Sequence, residues 1–317
     1  MTLRHIAIAL LCVVAAGCTA KPPSTKGNSF HDIKKTLIKG ENVVISGQEF
    51  SDDIDFTEII AGIEESTKHF RCWIPGGISF FNCTFKGKVL GYKSGDGIST
   101  SVTFEKNLTF NNCSFQESVD FRESNVTGLV DFSGSIFYKT STFEGFSCNN
   151  NDVRFAETVF KDEAKFQRSQ FNGNVNFMRA IFENHAYFQN ATFGGFAQFG
   201  ACVFSKYTDF INLKAKGDIF FNYTEFKDKF LMNNSTIDGR AEFIEAKFGK
   251  INEIKKTIFL GITRFEKADL KGSLDLSGSA FYYAKPATQG MIKSEESKII
   301  LEETYFQSGE LILLNDF

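Results

Sequence analysis

Between residues 153 and 210, phenylalanine stands at positions 155, 160, 166, 171, 177, 182, 188, 193, 199, 204 and 210, so the steps alternate five and six without a miss. Two residues before most of them sits something small: Thr158, Ala164, Ser169, Ala180, Ala186, Ala191, Ala197, Cys202 and Thr208, with Val153 and Val175 slightly larger. A chain of 317 residues has room for two ordinary domains, but 38 Phe against 4 Pro and 1 Trp favours one long repeat array.

An eleven-residue repeat also suits a right-handed coiled coil. On a helix, however, a step of five turns the chain by roughly 140°. The phenylalanines would then form two stripes and no single seam. From 153 to 210 there is no leucine, while Gly173, Gly194, Gly195 and Gly200 erode helicity. In an extended chain, residues two apart share a face. The small residue and its following Phe therefore both point inward. The intervening Asn172-Gly173-Asn174, Glu183-Asn184-His185 and Gly194-Gly195 supply corners.

The run Ala186-Tyr187-Phe188-Gln189-Asn190-Ala191-Thr192-Phe193 resembles the pentapeptide repeat family, in a variant whose steps alternate between five and six. That resemblance implies an all-β fold, a right-handed quadrilateral parallel β-helix with four short faces and about 22 residues per coil. The ladder residues are then Phe155, Phe160, Phe166, Phe171, Phe177, Phe182, Phe188, Phe193, Phe199, Phe204 and Phe210.

The rhythm extends well beyond this stretch. Residues 30–40 read as a short capping helix, with Ile33, Leu37 and Ile38 apolar and Gly40 as the stop. The solenoid then occupies 41–317, with insertions near 57–73, 91–101 and 282–298. The first insertion reads as a brief helix or packed loop and the second as a loop, with Ile74, Phe80, Phe85 and Leu90 keeping the count between them. Roughly eleven coils at about 4.8 Å each predict a rod on the order of 50 Å long.

The first residues carry an address. Arg4 and His5 precede an apolar run from Ile6 to Ala16, too short for a permanent membrane span, and then Ala15-Ala16-Gly17-Cys18. This resembles the lipobox of bacterial lipoproteins. It implies a signal peptide over 1–17, lipidation at Cys18 and a lipid-anchored tether over 18–29. Thr19 after the cysteine leans towards the outer membrane where a host has two.

Candidate chemistry is sparse. A net charge of −3 gives no basic nucleic-acid surface. Cys72, Cys83, Cys113 and Cys202 stand where a small interior residue is wanted. Cys83 and Cys113 fall one coil apart once residues 92–100 are discounted, close enough for a disulfide. His31, His69 and His185 lie far apart without ligand-spaced partners, and no phosphate loop, metal motif or cofactor motif is present. The expected function is a non-enzymatic, lipid-anchored envelope scaffold or binding protein, with a protein or cell-wall polymer as partner and no nucleic acid. Two alternatives stand beside it: a DNA-mimicking topoisomerase binder, as in some members of the family, and a polysaccharide-active enzyme. The apolar Leu311-Ile312-Leu313-Leu314 suits a capping coil or a homodimer through the solenoid end.

Overall fold

The computed structural model describes residues 29–149 and 152–307. After the helix Phe30–Ile38 the chain winds through short, mostly two-residue strands that stack into four sheets, one of 10 strands, two of 11 and one of 13. Each strand pairs in parallel with the strand one coil away, as in Val153↔Val175, Val159↔Ile181, Ala164↔Ala186 and Gln170↔Thr192. The separation in each pair is 22 residues. The antiparallel exceptions among the described strands are two hairpins on the 13-stranded sheet.

All eleven ladder phenylalanines are fully buried. They form columns along the coil axis: Phe132, Phe155, Phe177 and Phe199 stack with centroids 5.2, 4.9 and 5.0 Å apart and planes within 5°. A second column runs through Phe160, Phe182 and Phe204 at 4.8 and 4.7 Å, and a third through Phe166, Phe188 and Phe210 at 5.0 and 4.6 Å. Neighbouring columns meet edge to face, with Phe188 at 87° to Phe199. Both arrangements suit the quadrupole of the ring.

The alternation of steps reflects two kinds of corner. In the five-residue step a β-turn forms, with the Thr158 N–H donating to the Phe155 carbonyl at 3.3 Å. Its third residue takes a left-handed conformation: Glu157 at φ 59°, Arg168 at 58°, Arg179 at 60°, Asn190 at 59° and Ala201 at 56°. The six-residue step, through Asn172-Gly173-Asn174 or Glu183-Asn184-His185, turns with no positive φ. The small residue of the five-residue step has a second task. Thr158 donates to the Phe132 carbonyl at 3.0 Å, Ser169 to Phe143 at 2.8 Å and Ser235 to Phe210 at 3.0 Å. Each satisfies a buried acceptor on the preceding coil.

The helix covers the start of the rod. Ile33 and Leu37 are buried, Ile38 is exposed, and Phe30 packs edge to face on Phe56 at 6.0 Å. Gly40, at φ 77°, ends it by donating to the Leu37 carbonyl.

Four sequence expectations are refined. Residues 57–73 hold a 3-10 turn, Phe56–Glu58, followed by the antiparallel pair Ile63–Ser66 and His69–Ile74. Residues 91–101 are likewise a hairpin, Tyr92–Gly95 with Ile98–Phe104. Leu90 is not a ladder residue, because Val89 and Gly91 flank it on the inside while its own side chain faces outward opposite Asp120. A side chain at Gly91 would collide with the Phe121 ring, and its absence lets Phe56 and Phe121 stack across this coil at 6.3 Å. The coil through the break at 282–298 keeps all four faces, because Ala287 bridges Arg264, Ile292 pairs with Asp269, Ile300 with Asp275 and Tyr305 with Ala280. Only its corners are longer. The Leu311 to Leu314 segment lies outside the described residues.

Phe188 contacts Phe166 and Phe210 along its own column, Phe177 and Phe199 on one side and Phe182 on the other. Phe188→Ala is expected to lower stability by about 3–5 kcal/mol, read from chemical denaturation followed by circular dichroism.

Candidate functional site

The two hairpins sit on successive coils and join into one outgrowth. His69–Ile74 pairs in parallel with the second half of the other hairpin, from Ser99↔His69 to Phe104↔Ile74. The outgrowth is therefore a four-stranded sheet that continues the 13-stranded sheet sideways, past the corner of the rod. Its outward side chains are tied together. His69 bonds Ser99 through Nδ1 at 2.8 Å and Ser101 through Nε2 at 3.2 Å. The Arg71 guanidinium donates from Nε to Glu65 at 2.6 Å and from Nη1 to the Glu123 carbonyl at 3.0 Å. Lys93 pairs with Glu58 at 2.7 Å and Asp55 at 3.3 Å, which raises the lysine above its ordinary range and lowers Glu58.

Where the outgrowth leaves the rod there is a polar trough of about 460 Å³. Glu65, Arg71 and Trp73 form one wall, Glu123 and Gly145 the corner opposite, and Asn125, Ser147 and Gln170 the floor. Trp73 is the chain's single tryptophan and is half-buried. Its indole makes no hydrogen bond and stacks on no other ring among the described residues. A trough with one aromatic wall and several fixed polar groups has the makings of a ligand site.

Along the sequence the histidines are isolated, yet coil stacking gives His185 close neighbours. Rings of His185, Tyr187 and Tyr207 lie 6.1 Å from one another. Beneath them Asp209, almost fully buried, accepts from the Tyr207 hydroxyl at 2.6 Å, Gln189 at 2.5 Å and the Ile211 N–H at 2.8 Å. The buried Nδ1 of His185 has no hydrogen-bond partner among the described residues. The residues pair at one coil's separation, 185 with 207 and 187 with 209, a signal found only by reading down columns 22 apart. Holding three hydrogen bonds and only 1% exposed, Asp209 ties this face together from beneath and lies out of reach of a substrate.

The cysteines fall where the repeat wants a small donor. Cys202 donates to the Phe177 carbonyl at 2.9 Å, in the slot that Thr158 and Ser169 fill elsewhere, and burial pushes its thiol up. Cys83 and Cys113 stack one coil apart, as Thr84↔Ser114 requires. The structure has them as free thiols, each turned to a main-chain carbonyl, Cys83 to Phe81 at 3.4 Å and Cys113 to Phe80 at 3.5 Å. The interaction between the neighbouring thiols lowers Cys83 and, with burial, raises Cys113. Cys18 lies outside the described residues. Among those residues no group of three or more His, Cys, Asp or Glu side chains could hold a metal ion.

The molecule is thus a parallel β-solenoid with a lateral outgrowth and a trough at its base. Residues 100–145, 150–192 and 166–214 match the family model described as pentapeptide repeats, 9 copies. The matched stretches run through the middle coils of the solenoid. Neither a curated protein nor a solved structure matches the chain.

Burial raises the Tyr207 phenol, and its hydrogen bond to Asp209 adds to this. The folded chain therefore favours the neutral phenol over the unfolded chain, where tyrosine ionises near about 10. This contribution is complete below that pH and is lost as pH rises towards the folded value. Thermal midpoints of Tyr207→Phe, followed by circular dichroism, are expected to decline less steeply than wild type above pH about 10.

Proposed function

We propose that the chain is a non-enzymatic binding protein of the bacterial cell envelope, held to a membrane by lipid on Cys18, with the solenoid as a rigid frame and the outgrowth as its recognition surface. The observation that carries this reading is the position of the two large insertions. They fall on adjacent coils and merge into one ordered sheet with a trough at its base. Recognition elements on a rigid scaffold commonly lie where the regular structure is interrupted. The lipobox-like Ala15-Ala16-Gly17-Cys18 and the polar segment after it supply the attachment. Several acyl chains hold a protein firmly, each buried CH₂ contributing about 0.8 kcal/mol. Among the described residues no helix is long and apolar enough to cross a membrane.

The charge pattern disfavours the DNA-mimic alternative. A mimic needs continuous negative charge along the rod, whereas here acids on one coil are met by bases on the next: Glu157 with Arg179, Glu183 with Lys161, Asp218 with Arg240, and Glu225 with Lys247. The polysaccharide-active enzyme lacks a motivating site. Among the described residues the nearly buried carboxylate beside titratable rings, Asp209, is closed off from solvent and already accepts three hydrogen bonds.

Cys18→Ser expressed in a bacterial host is expected to leave the membrane fraction for the soluble one and to lose incorporation of labelled fatty acid. Unchanged membrane retention of that variant would contradict the anchor.

A further inference from the structure

We infer that the trough beside Trp73 binds a neutral, extended glycan, laid along the outer face of the 13-stranded sheet. The inference rests on the envelope-binding reading and names the chemistry of its ligand.

Outward residues on that sheet run in register from Trp73 to Thr103, Asn125, Ser147, Gln170 and Thr192. After the indole, every side chain on this path is a hydroxyl or a carboxamide. The first charge comes only at Lys214. Other outer faces differ at the same level: one carries Asp131 and Arg154, another Asp120 and Lys165. A row of neutral groups that both donate and accept suits hydroxyls and acetamido groups. It does not suit phosphate, which calls for unpaired cations, and the one arginine of the trough is already bonded to Glu65 and the Glu123 carbonyl.

The geometry adds three points. The rungs repeat at about 4.8 Å, comparable to the advance per sugar of an extended β-linked chain, so successive sugars meet successive rungs. The unstacked indole at the head of the row is the surface on which the C–H face of a pyranose packs. The floor is also organised in advance: Ser147 donates to the Asn125 carboxamide oxygen at 3.0 Å, which leaves the amide N–H groups to face a ligand. Preorganisation of this kind limits the entropy lost on binding.

Because the chain has a single tryptophan, its fluorescence reports on this site alone. Full-length protein in detergent micelles would be titrated with chitohexaose, cellohexaose and monomeric N-acetylglucosamine, and mixed with purified peptidoglycan sacculi in a sedimentation assay. A saturable emission change is expected with at least one hexasaccharide, with apparent affinity at least tenfold above the monomer. Asn125→Ala combined with Gln170→Ala, both outside the core, is expected to weaken binding at least tenfold while circular dichroism and the thermal midpoint stay as in wild type. The inference is overturned by an absence of response to every glycan, by an equal response in the double variant, or by a protein cross-linked at the trough while glycans fail. If glycans fail and Cys18-dependent membrane retention persists, only this inference falls. If glycans bind and the Cys18→Ser variant stays on the membrane, only the anchor falls.

Discussion

Apart from Phe171, which follows Cys148, each ladder phenylalanine from 155 to 210 rests on the ring one coil before it, and the separations, such as 4.9 Å from Phe155 to Phe177 and 4.6 Å from Phe188 to Phe210, match the spacing of hydrogen-bonded rungs. Side-chain packing and main-chain pairing therefore demand the same repeat. A slip of one residue would turn every inward ring out to solvent. The register is held by the whole column, which lets corners lengthen and hairpins sprout without disturbing the coils above and below.

The other features follow from that repeat. Parallel coils leave a buried carbonyl near the five-residue corner, and at many of these corners the small position holds a Ser, Thr or Cys that donates to it, while Ala180 and Ala191 fill it by size alone. Outside, residues 22 apart lie side by side, which aligns opposite charges such as Arg179 with Glu157 and gathers Tyr207 and Asp209 beneath His185. Exposed pairs of this kind contribute little individually. Their larger effect is to fix the chemical character of each face, leaving one face charged and another, from Thr103 to Thr192, neutral.

Most of the frame was legible in the sequence because the inward positions carry large apolar residues at a fixed period, and no other fold buries Phe155 to Phe210 at those steps. The left-handed corners were legible only in part. Gly134, Gly145 and Asn190 are residues that favour the conformation, but Glu157, Arg168, Arg179 and Ala201 adopt it under the constraint of the coil. Leu90 was misplaced because its ladder slot is filled by Gly91, an empty position that no hydrophobic count detects. The hairpins read as loops because strands that pair with an adjacent coil's insertion have no local alternation to reveal them. The trough was beyond reach for the same reason, since Trp73, Asn125 and Gln170 meet only through coil stacking. Only its place was marked, by the break in the count.

The central claim is that the periodic coils are a frame indifferent to what the breaks carry. Its most direct test replaces both hairpins with plain five-residue corners and measures the thermal midpoint and β-sheet circular dichroism of the shortened chain. An independent frame predicts a folded solenoid whose midpoint stays within a few degrees of wild type. Loss of the β-sheet signal, or a broad non-cooperative transition, would show that the outgrowth helps build the frame, and would contradict the account.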